Sequence, residues 1–191
     1  MNKPKRFLDL TVTSLCLGLG MSLWLAPPAL AQDQAKLSEF YAQLQEADRD
    51  EAIRLAREIE REWANSGSPA MNLLLKRGTD AMEAGDSAAA LEHFTALTDH
   101  APDFAEGWHR RAVVLAALEM YGPAVADIER ALALEPRHYD AIASLGAILA
   151  KINKYEAAKE AFDEVLAIHP HHAEVSEAMG RVESQIGGLR L

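Results

Sequence analysis

Three histidines surround one proline in this sequence, and histidine is the side chain that most often binds a metal ion or transfers a proton near neutral pH. They are His169, His171 and His172 around Pro170, and His138 precedes His172 by an interval that recurs elsewhere in the chain. A structural metal site needs three or four ligands in a defined geometry. No thiol or carboxylate is held beside this cluster in a recognisable motif, so we predict solvated turn histidines, no metal and no cofactor.

Motifs of the common enzyme classes are missing from the sequence as well. No HExxH, GxSxG, phosphate-binding or dinucleotide-binding glycine pattern occurs, and no pair of carboxylates has a recognisable acid–base arrangement. We therefore predict that the chain is not an enzyme. The alternative is an enzyme that uses the histidines in a site without a known motif.

Two pairs of basic residues recur at the interval that separates His138 from His172. Lys76-Arg77 and Arg110-Arg111 are spaced in this way and would lie on neighbouring helices as a basic ladder. We favour pairing with nearby acidic side chains, because alternating charges usually form a solvated surface. The acidic candidates are Glu92, Asp127 and Glu129. The alternative is a binding seat for an acidic peptide or a terminal carboxylate.

A repeat with a period of about 34 residues organises these features, and that period is the length of one helix-turn-helix unit. Pro102, Pro136 and Pro170 mark it. Each repeat is counted from its first residue, which is Met71, Ala105, Tyr139 or Ala173. In this frame the eighth and twentieth positions carry small residues and the twenty-fourth carries a large apolar one, as two closely packed helices require. The small residues are Gly78, Ala112, Gly146 and Gly180, with Ala90, Ala124 and Ala158; the large ones are Phe94, Ile128 and Phe162.

This pattern resembles the tetratricopeptide repeat family from Met71 to Pro170. The resemblance implies an all-α fold, a short right-handed solenoid of antiparallel helix pairs. Three units fit within residues 69–191, at 71–104, 105–138 and 139–172. A further helix at 173–187 has the character of the polar capping helix that such arrays need at their end.

The resemblance also implies a concave groove lined by the first helix of each unit. The residues that would contact a protein or peptide partner there are Asn72, Leu75, Lys76, Thr79, Met82, Glu106, His109, Arg110, Val113, Asp140, Ala143 and Ala147. The lysine and asparagine set with which some family members clamp a terminal carboxylate is missing from these positions. Small and apolar side chains predict binding by shape and hydrophobic contact. The alternative is a groove filled by the chain's own amino-terminal helices.

Residues 32–68 precede the repeats and predict a pair of helices. Asp48 is suited to cap the second of them, and Asn65-Ser66-Gly67-Ser68-Pro69 predicts the loop that follows. Counting back one period from Pro102 reaches Ser68. The pair is therefore interpreted as a candidate degenerate repeat that caps the beginning of the array.

Residues 1–31 have the organisation of a secretory signal peptide. Lys3, Lys5 and Arg6 precede an apolar run, and Ala29-Leu30-Ala31 offers a cleavage site. We predict export to the periplasm of a Gram-negative bacterium, with no stable membrane insertion after cleavage. The alternative is an uncleaved anchor in the inner membrane. The only cysteine, Cys16, lies in this segment, which suits an oxidising compartment.

The charge of the chain restricts its partners. There are 29 acidic and 19 basic side chains, a formal net charge of −10. Such a surface repels a phosphate backbone, so we predict no nucleic-acid binding. The predicted function is a non-catalytic protein- or peptide-binding module. The alternatives are an assembly factor for envelope complexes or exported cytochromes, or a membrane-anchored scaffold; the sequence predicts no oligomeric state.

Overall fold

The computed structural model describes the backbone of residues 28–189 and the side chains of residues 35–188. Over this range all regular structure is helical. The helices are α1 (Pro28–Glu46), α2 (Arg49–Trp63), α3 (Pro69–Glu83), α4 (Ser87–His100), α5 (Ala105–Ala117), α6 (Tyr121–Leu134), α7 (Tyr139–Lys151), α8 (Tyr155–Ile168) and α9 (Ala173–Leu189). The predicted all-α fold is confirmed.

Helices α3 to α8 form three antiparallel pairs, and each pair turns at the same place in the repeat. The turn residues Gly85, Glu119 and Asn153 all have positive φ, between 59° and 77°. A left-handed residue at this point reverses the chain within one turn, which glycine and asparagine tolerate better than glutamate does. The first helices of successive units contact one another in the order α3, α5, α7 and α9. They form one layer of the array.

Packing inside each pair depends on the small residue at the eighth position. A Cβ added to Gly78 would lie 2.4 Å from the Phe94 ring, and one added to Gly146 would lie 2.5 Å from the Phe162 ring. Both rings are buried, so neither can move aside freely. The predicted close contact between the two helices of a unit is confirmed in the first and third units.

The amino-terminal pair α1/α2 does not lie in front of the first repeat. Its buried side chains share one core with α7, α8 and α9, whereas the core of α3 and α4 contains no residue of α1 or α2. The interpretation as a degenerate repeat at the beginning of the array is corrected in this respect. Gly67 has a φ of +73°, and this left-handed residue lets the loop turn the pair back.

Side-chain contacts join α1/α2 to the turns that link the second unit to the third and the third to α9. The Trp63 indole stacks on the His138 ring with centroids 3.9 Å apart, and its Nε1 donates a hydrogen bond to the Tyr41 hydroxyl at 3.1 Å. The Arg137 guanidinium lies 4.2 Å from the centre of the Tyr41 ring. Asp48 caps α2 as predicted, because its Oδ1 accepts a hydrogen bond from Glu51 N.

Helix α9 closes the other side of the third repeat. Val175, Met179, Val182 and Ile186 are buried against the core, whereas Gly180 faces open space. The helix continues to Leu189, two residues beyond the predicted end, because Gly187-Gly188 stays helical.

The predicted signal peptide lies almost entirely outside the described residues, since only its last part, 28–31, belongs to α1. Within residues 28–189, no helix has the length and apolar character needed to cross a bilayer.

Candidate functional site

Two adjacent hollows lie along the layer of first helices. The first has a volume of about 420 Å³ and the second about 490 Å³. Phe162, Ala178 and Arg181 line both, so the hollows adjoin. We call them together the groove. Its walls come from α5 (His109 and Val113), from α7 between Asp140 and Lys151, and from α9 between Glu174 and Gln185.

Five of the twelve predicted partner residues line this groove: His109, Val113, Asp140, Ala143 and Ala147. No described residue of α1 or α2 lines either hollow, so the amino-terminal pair leaves the groove open. The contribution of α9, which supplies Val175, Ala178 and Arg181, was not predicted, because that helix was interpreted only as a cap.

Other predicted partner residues are held inside the molecule. Leu75 is buried in the core of the first unit, and Glu106 is buried in the first turn of α5. Neither side chain lines the groove, which corrects their assignment. The side-chain oxygen of Asn72 accepts a hydrogen bond from the Ser66 hydroxyl at 2.6 Å, so it fixes the loop before α3.

The remaining predicted residues have local partners. Lys76 pairs with Asp80 one turn along its helix, and the Thr79 hydroxyl donates to Leu75 O at 3.0 Å. Met82 packs on the core of the first unit.

Three of the four basic residues of the ladder, Lys76, Arg110 and Arg111, pair with acidic groups among the described residues. The Arg111 guanidinium donates to both Asp127 carboxylate oxygens, at 2.7 and 2.8 Å, and also to the Thr98 hydroxyl. Arg110 donates to Glu106 on its own helix. The predicted pairing with Asp127 is confirmed, but Lys76 and Arg110 pair on their own helices with Asp80 and Glu106. Among the described residues, no ion pair involves the other two predicted partners, Glu92 and Glu129.

Glu106 is the centre of a buried polar cluster. Its Oε2 lies 2.9 Å from His138 Nε2 and 3.3 Å from His109 Nδ1, and its Oε1 accepts from Arg110. Burial opposes ionisation of this carboxyl. The hydrogen bonds from His109 and His138, with the charge of Arg110, outweigh burial and hold the pKa of Glu106 well below its ordinary value.

His138 is fully buried and neutral in this cluster. Its Nδ1 accepts a hydrogen bond from Ala141 N at 3.3 Å and caps α7, so the single proton of the ring lies on Nε2 and is donated to Glu106. Burial lowers the pKa of His138, although Glu106 acts in the opposite direction. The imidazole therefore connects α7, α5 and the Trp63 ring of α2.

The types and separations of Glu106, His109 and His138 would also suit a metal ion, since their ligand atoms lie within 4.8 Å of one another. The hydrogen bonds disagree with that interpretation. A metal on His138 Nε2 would leave the proton on Nδ1, where it would face the N–H of Ala141. Arg110 adds a positive charge beside the carboxylate. The cluster fits a hydrogen-bond network better than a metal centre.

The histidines near Pro170 are not all solvated, which corrects the sequence analysis. His169 is buried, and among the described residues neither its Nδ1 nor the Tyr139 hydroxyl has a hydrogen-bond partner. Burial lowers the pKa of His169 to about 4, and His172 acts in the same direction. Only His171 is exposed, and its Nε2 donates to Ala47 O at 3.1 Å.

Comparison with known proteins agrees with this architecture. A tetratricopeptide repeat family model matches residues 115–182. A TPR repeat-containing protein of Rhizobium etli is 36% identical over 121 residues, which are 63% of this chain and 59% of that protein. The sequence match and the helix pairs together identify a tetratricopeptide repeat fold. The chain spans about 59% of the length of this curated relative.

Solved tetratricopeptide structures share the fold. The first TPR domain of RPAP3, bound to the HSP90 peptide SRMEEVD, superposes with a TM-score of 0.59 at 22% identity and covers 61% of this chain and 93% of that one. The MamA protein superposes with a TM-score of 0.57 at 20% identity and covers 82% and 84%. At these identities the likeness shows the fold alone.

The tetratricopeptide frame shows a second acid–histidine pair one unit after the first. His172 Nδ1 accepts from Val175 N and caps α9, and its Nε2 lies 3.6 Å from Asp140 Oδ1. Asp140 and His172 stand one repeat period after Glu106 and His138. Burial opposes ionisation of Asp140, but His172 lowers its pKa overall. The sequence therefore did contain a signal for these pairs: an acidic residue at the second position of a repeat and a histidine at its thirty-fourth position, in two successive repeats.

Proposed function

We propose that this chain is a non-catalytic periplasmic protein that holds a protein or peptide partner in the groove formed by α5, α7 and α9. The observation that carries the proposal is the open groove with a floor of small and apolar side chains. Ala143 and Ala147 of α7 face Ala178 of α9 there. Small residues let a partner's main chain approach closely.

The buried polar cluster supports a binding role over a catalytic one. Glu106 and His138 are 3% and 0% exposed, and their hydrogen-bonding atoms are occupied by one another, by Arg110 and by the cap of α7. A catalytic acid or base needs access to a substrate proton. The cluster instead fixes the relative positions of α2, α5 and α7, which form or border the groove.

A photoreactive phenylalanine analogue at Ala147 tests the groove directly. Ala147 is exposed and lines the second hollow. We expect irradiated cells to yield a discrete crosslinked partner from this position. The same analogue at exposed Ala133 on α6, outside both hollows, is the matched control and should yield none. Equal crosslinked products from both positions would reject groove binding.

Export is a separate part of the proposal and needs its own measurement. The charged start, the apolar run and the small residues before Ala31 support it. Amino-terminal sequencing of the protein from the periplasmic fraction should begin at Gln32. A membrane-bound protein that keeps residues 1–31 would favour the anchored scaffold instead. Deletion that impairs envelope complexes or exported cytochromes would favour an assembly factor.

A further inference from the structure

The two ends of the groove carry opposite charges. At one end lie the carboxylates of Asp140 and Glu174, in the first turns of α7 and α9. At the other end lies the ammonium group of Lys151, with the Arg181 guanidinium between the two hollows. Because α7 and α9 both begin at the acidic end, the groove has a direction that a charged partner can recognise.

Three of these charged side chains are available to a partner. Within the part of the chain that the structure describes, Glu174, Lys151 and Arg181 make no ion pair with another side chain. Asp140 has its His172 contact, yet it lines the groove and stays ionised, since the pKa of its carboxyl is lowered. Charges of this kind at the rim of a groove select partners by sign.

We infer that the groove binds an extended segment of a partner protein that carries a basic side chain at one end and an acidic side chain at the other. The basic group contacts Asp140 and Glu174, and the acidic group contacts Arg181 and Lys151. The inference rests on the proposed function and adds the chemistry of the partner. It also predicts discrimination against purely acidic peptides, which would meet carboxylates at one end.

The dimensions of the groove set the spacing of the two charges. Asp140 and Lys151 are eleven residues apart on one helix, which corresponds to about 16 Å at the rise of an α-helix. An extended chain covers that length in about five residues. The two hollows, of about 420 and 490 Å³, have room for a few extended residues. The segment between the charges should carry small or apolar side chains, because alanines form the walls.

Selection from a random peptide display library against the purified protein tests the inference. We expect enriched peptides to place Lys or Arg about five residues from Asp or Glu, with apolar residues between. The pattern should disappear from selections against Glu174→Gln combined with Asp140→Asn. Glu177→Gln, on the exposed side of α9 outside both hollows, also removes a negative charge from this helix and should leave the pattern unchanged.

Charge reversal separates recognition from a structural defect. For the best enriched peptide, Glu174→Lys should weaken binding about tenfold, and exchange of the peptide's basic residue for glutamate should restore most of that loss. Enriched peptides without the paired charges, or a Glu174→Lys defect that no peptide exchange restores, would overturn this inference and leave groove binding standing. A library that yields no peptide sensitive to Ala147→Arg would overturn groove binding itself.

Discussion

The first and third repeats have the same internal packing but different surroundings. In both, a phenylalanine of the second helix packs directly on a glycine of the first, Phe94 on Gly78 and Phe162 on Gly146. The third repeat is then covered by α1, α2 and α9, whereas no described side chain of these three helices enters the core of the first. The small and large residues of the repeat pattern therefore determine how the two helices of a unit pack together. Residues at other positions of the first helix determine which further helices pack against that unit.

Two positions on the first helix explain this difference. The tenth position is buried as Val114, Ile148 and Val182 in the later units, but it is the exposed, charged Asp80 in the first. The third position is Leu73, which is 47% exposed, whereas Val175 at the same place in α9 is 3% exposed. A charged residue in the centre of that face opposes docking of another helix pair. The amino-terminal pair buries its apolar side chains on the third repeat instead.

Removal of the Trp63 ring should have the largest effect on the difference in stability between the first and third repeats. Trp63→Ala eliminates the stack on His138 and the contact with Tyr139, and leaves a cavity beneath α2. We expect the free energy of unfolding to fall by about 4 kcal/mol. Hydrogen exchange should accelerate in α2 and α7, while α3 and α4 keep their protection, because each unit of a solenoid depends on its neighbours.

Equal acceleration in the first and third repeats would show that the two regions unfold as one unit and would contradict this account. Trp63→Phe is the conservative control. It keeps a ring over His138 but loses the hydrogen bond to Tyr41, so it should cost less than the alanine variant.

A methyl group at the eighth position tests the feature that the two repeats share. Gly146→Ala should lower the free energy of unfolding by about 2–3 kcal/mol, because the new Cβ would overlap the buried Phe162 ring. Gly78→Ala should cost a similar amount through Phe94. Gly180→Ala is the matched control: its Cβ meets nothing within 4 Å, so the better helix propensity of alanine should leave stability unchanged or raise it. Thermal or denaturant unfolding measures all three.

The sequence was sufficient for the repeat frame and much less so for the cluster around Glu106. The helix pairs follow from local rules, such as small residues opposite Phe94 and Phe162 and the left-handed residue at Gly85. The burial of His138 does not, because it depends on Trp63, which is distant in the chain and reaches it only through the turned-back pair α1/α2. A contact between side chains so far apart in the chain leaves no periodic pattern in the sequence from which it could be predicted.

The groove, too, was predictable from the sequence only in part. Positions on α5 and α7 were predictable from the frame, and His109, Val113 and Asp140 do line it. Leu75 obeys the same frame, but it packs in the core of the first unit and lines neither hollow. The contribution of Arg181 was missed because a capping helix was expected to close the array and not to line a binding surface.

Acid should destabilise the third repeat more than the first. Burial lowers the pKa of His169 to about 4, and burial also lowers that of His138, so the folded state keeps both rings neutral while the unfolded chain takes up protons at its ordinary histidine pKa. Stability contributed by these rings is present above the unfolded pKa and is lost as pH falls from about 6.5 towards 4. Glu106 and Asp140, whose pKa values are lowered, act with the same sign at still lower pH.

We expect the free energy of unfolding to fall by about 1–2 kcal/mol between about pH 7.5 and about pH 5. His169→Gln should reduce this pH dependence, whereas His100→Gln, at an exposed position of the first repeat, should leave it unchanged. The groups that face the two rings are His109 and Glu106 from α5, Asp140 from α7, and His171 and His172 from the turn before α9. An unchanged pH profile in His169→Gln would place that ring in solvent in the folded protein.

The smallest effect is expected at the open side of the first repeat. Leu73→Ala should change the free energy of unfolding by less than about 0.5 kcal/mol, because nearly half of the side chain is already in contact with water. Val175→Ala, at the same repeat position in α9, removes buried methyl groups and should cost distinctly more, about 1–2 kcal/mol. Denaturant unfolding of the two variants in parallel measures the difference between the covered and the open side of the array. If Leu73→Ala cost as much as Val175→Ala, some other part of the protein would have to cover the first repeat in solution, and the contrast between the two repeats would be lost.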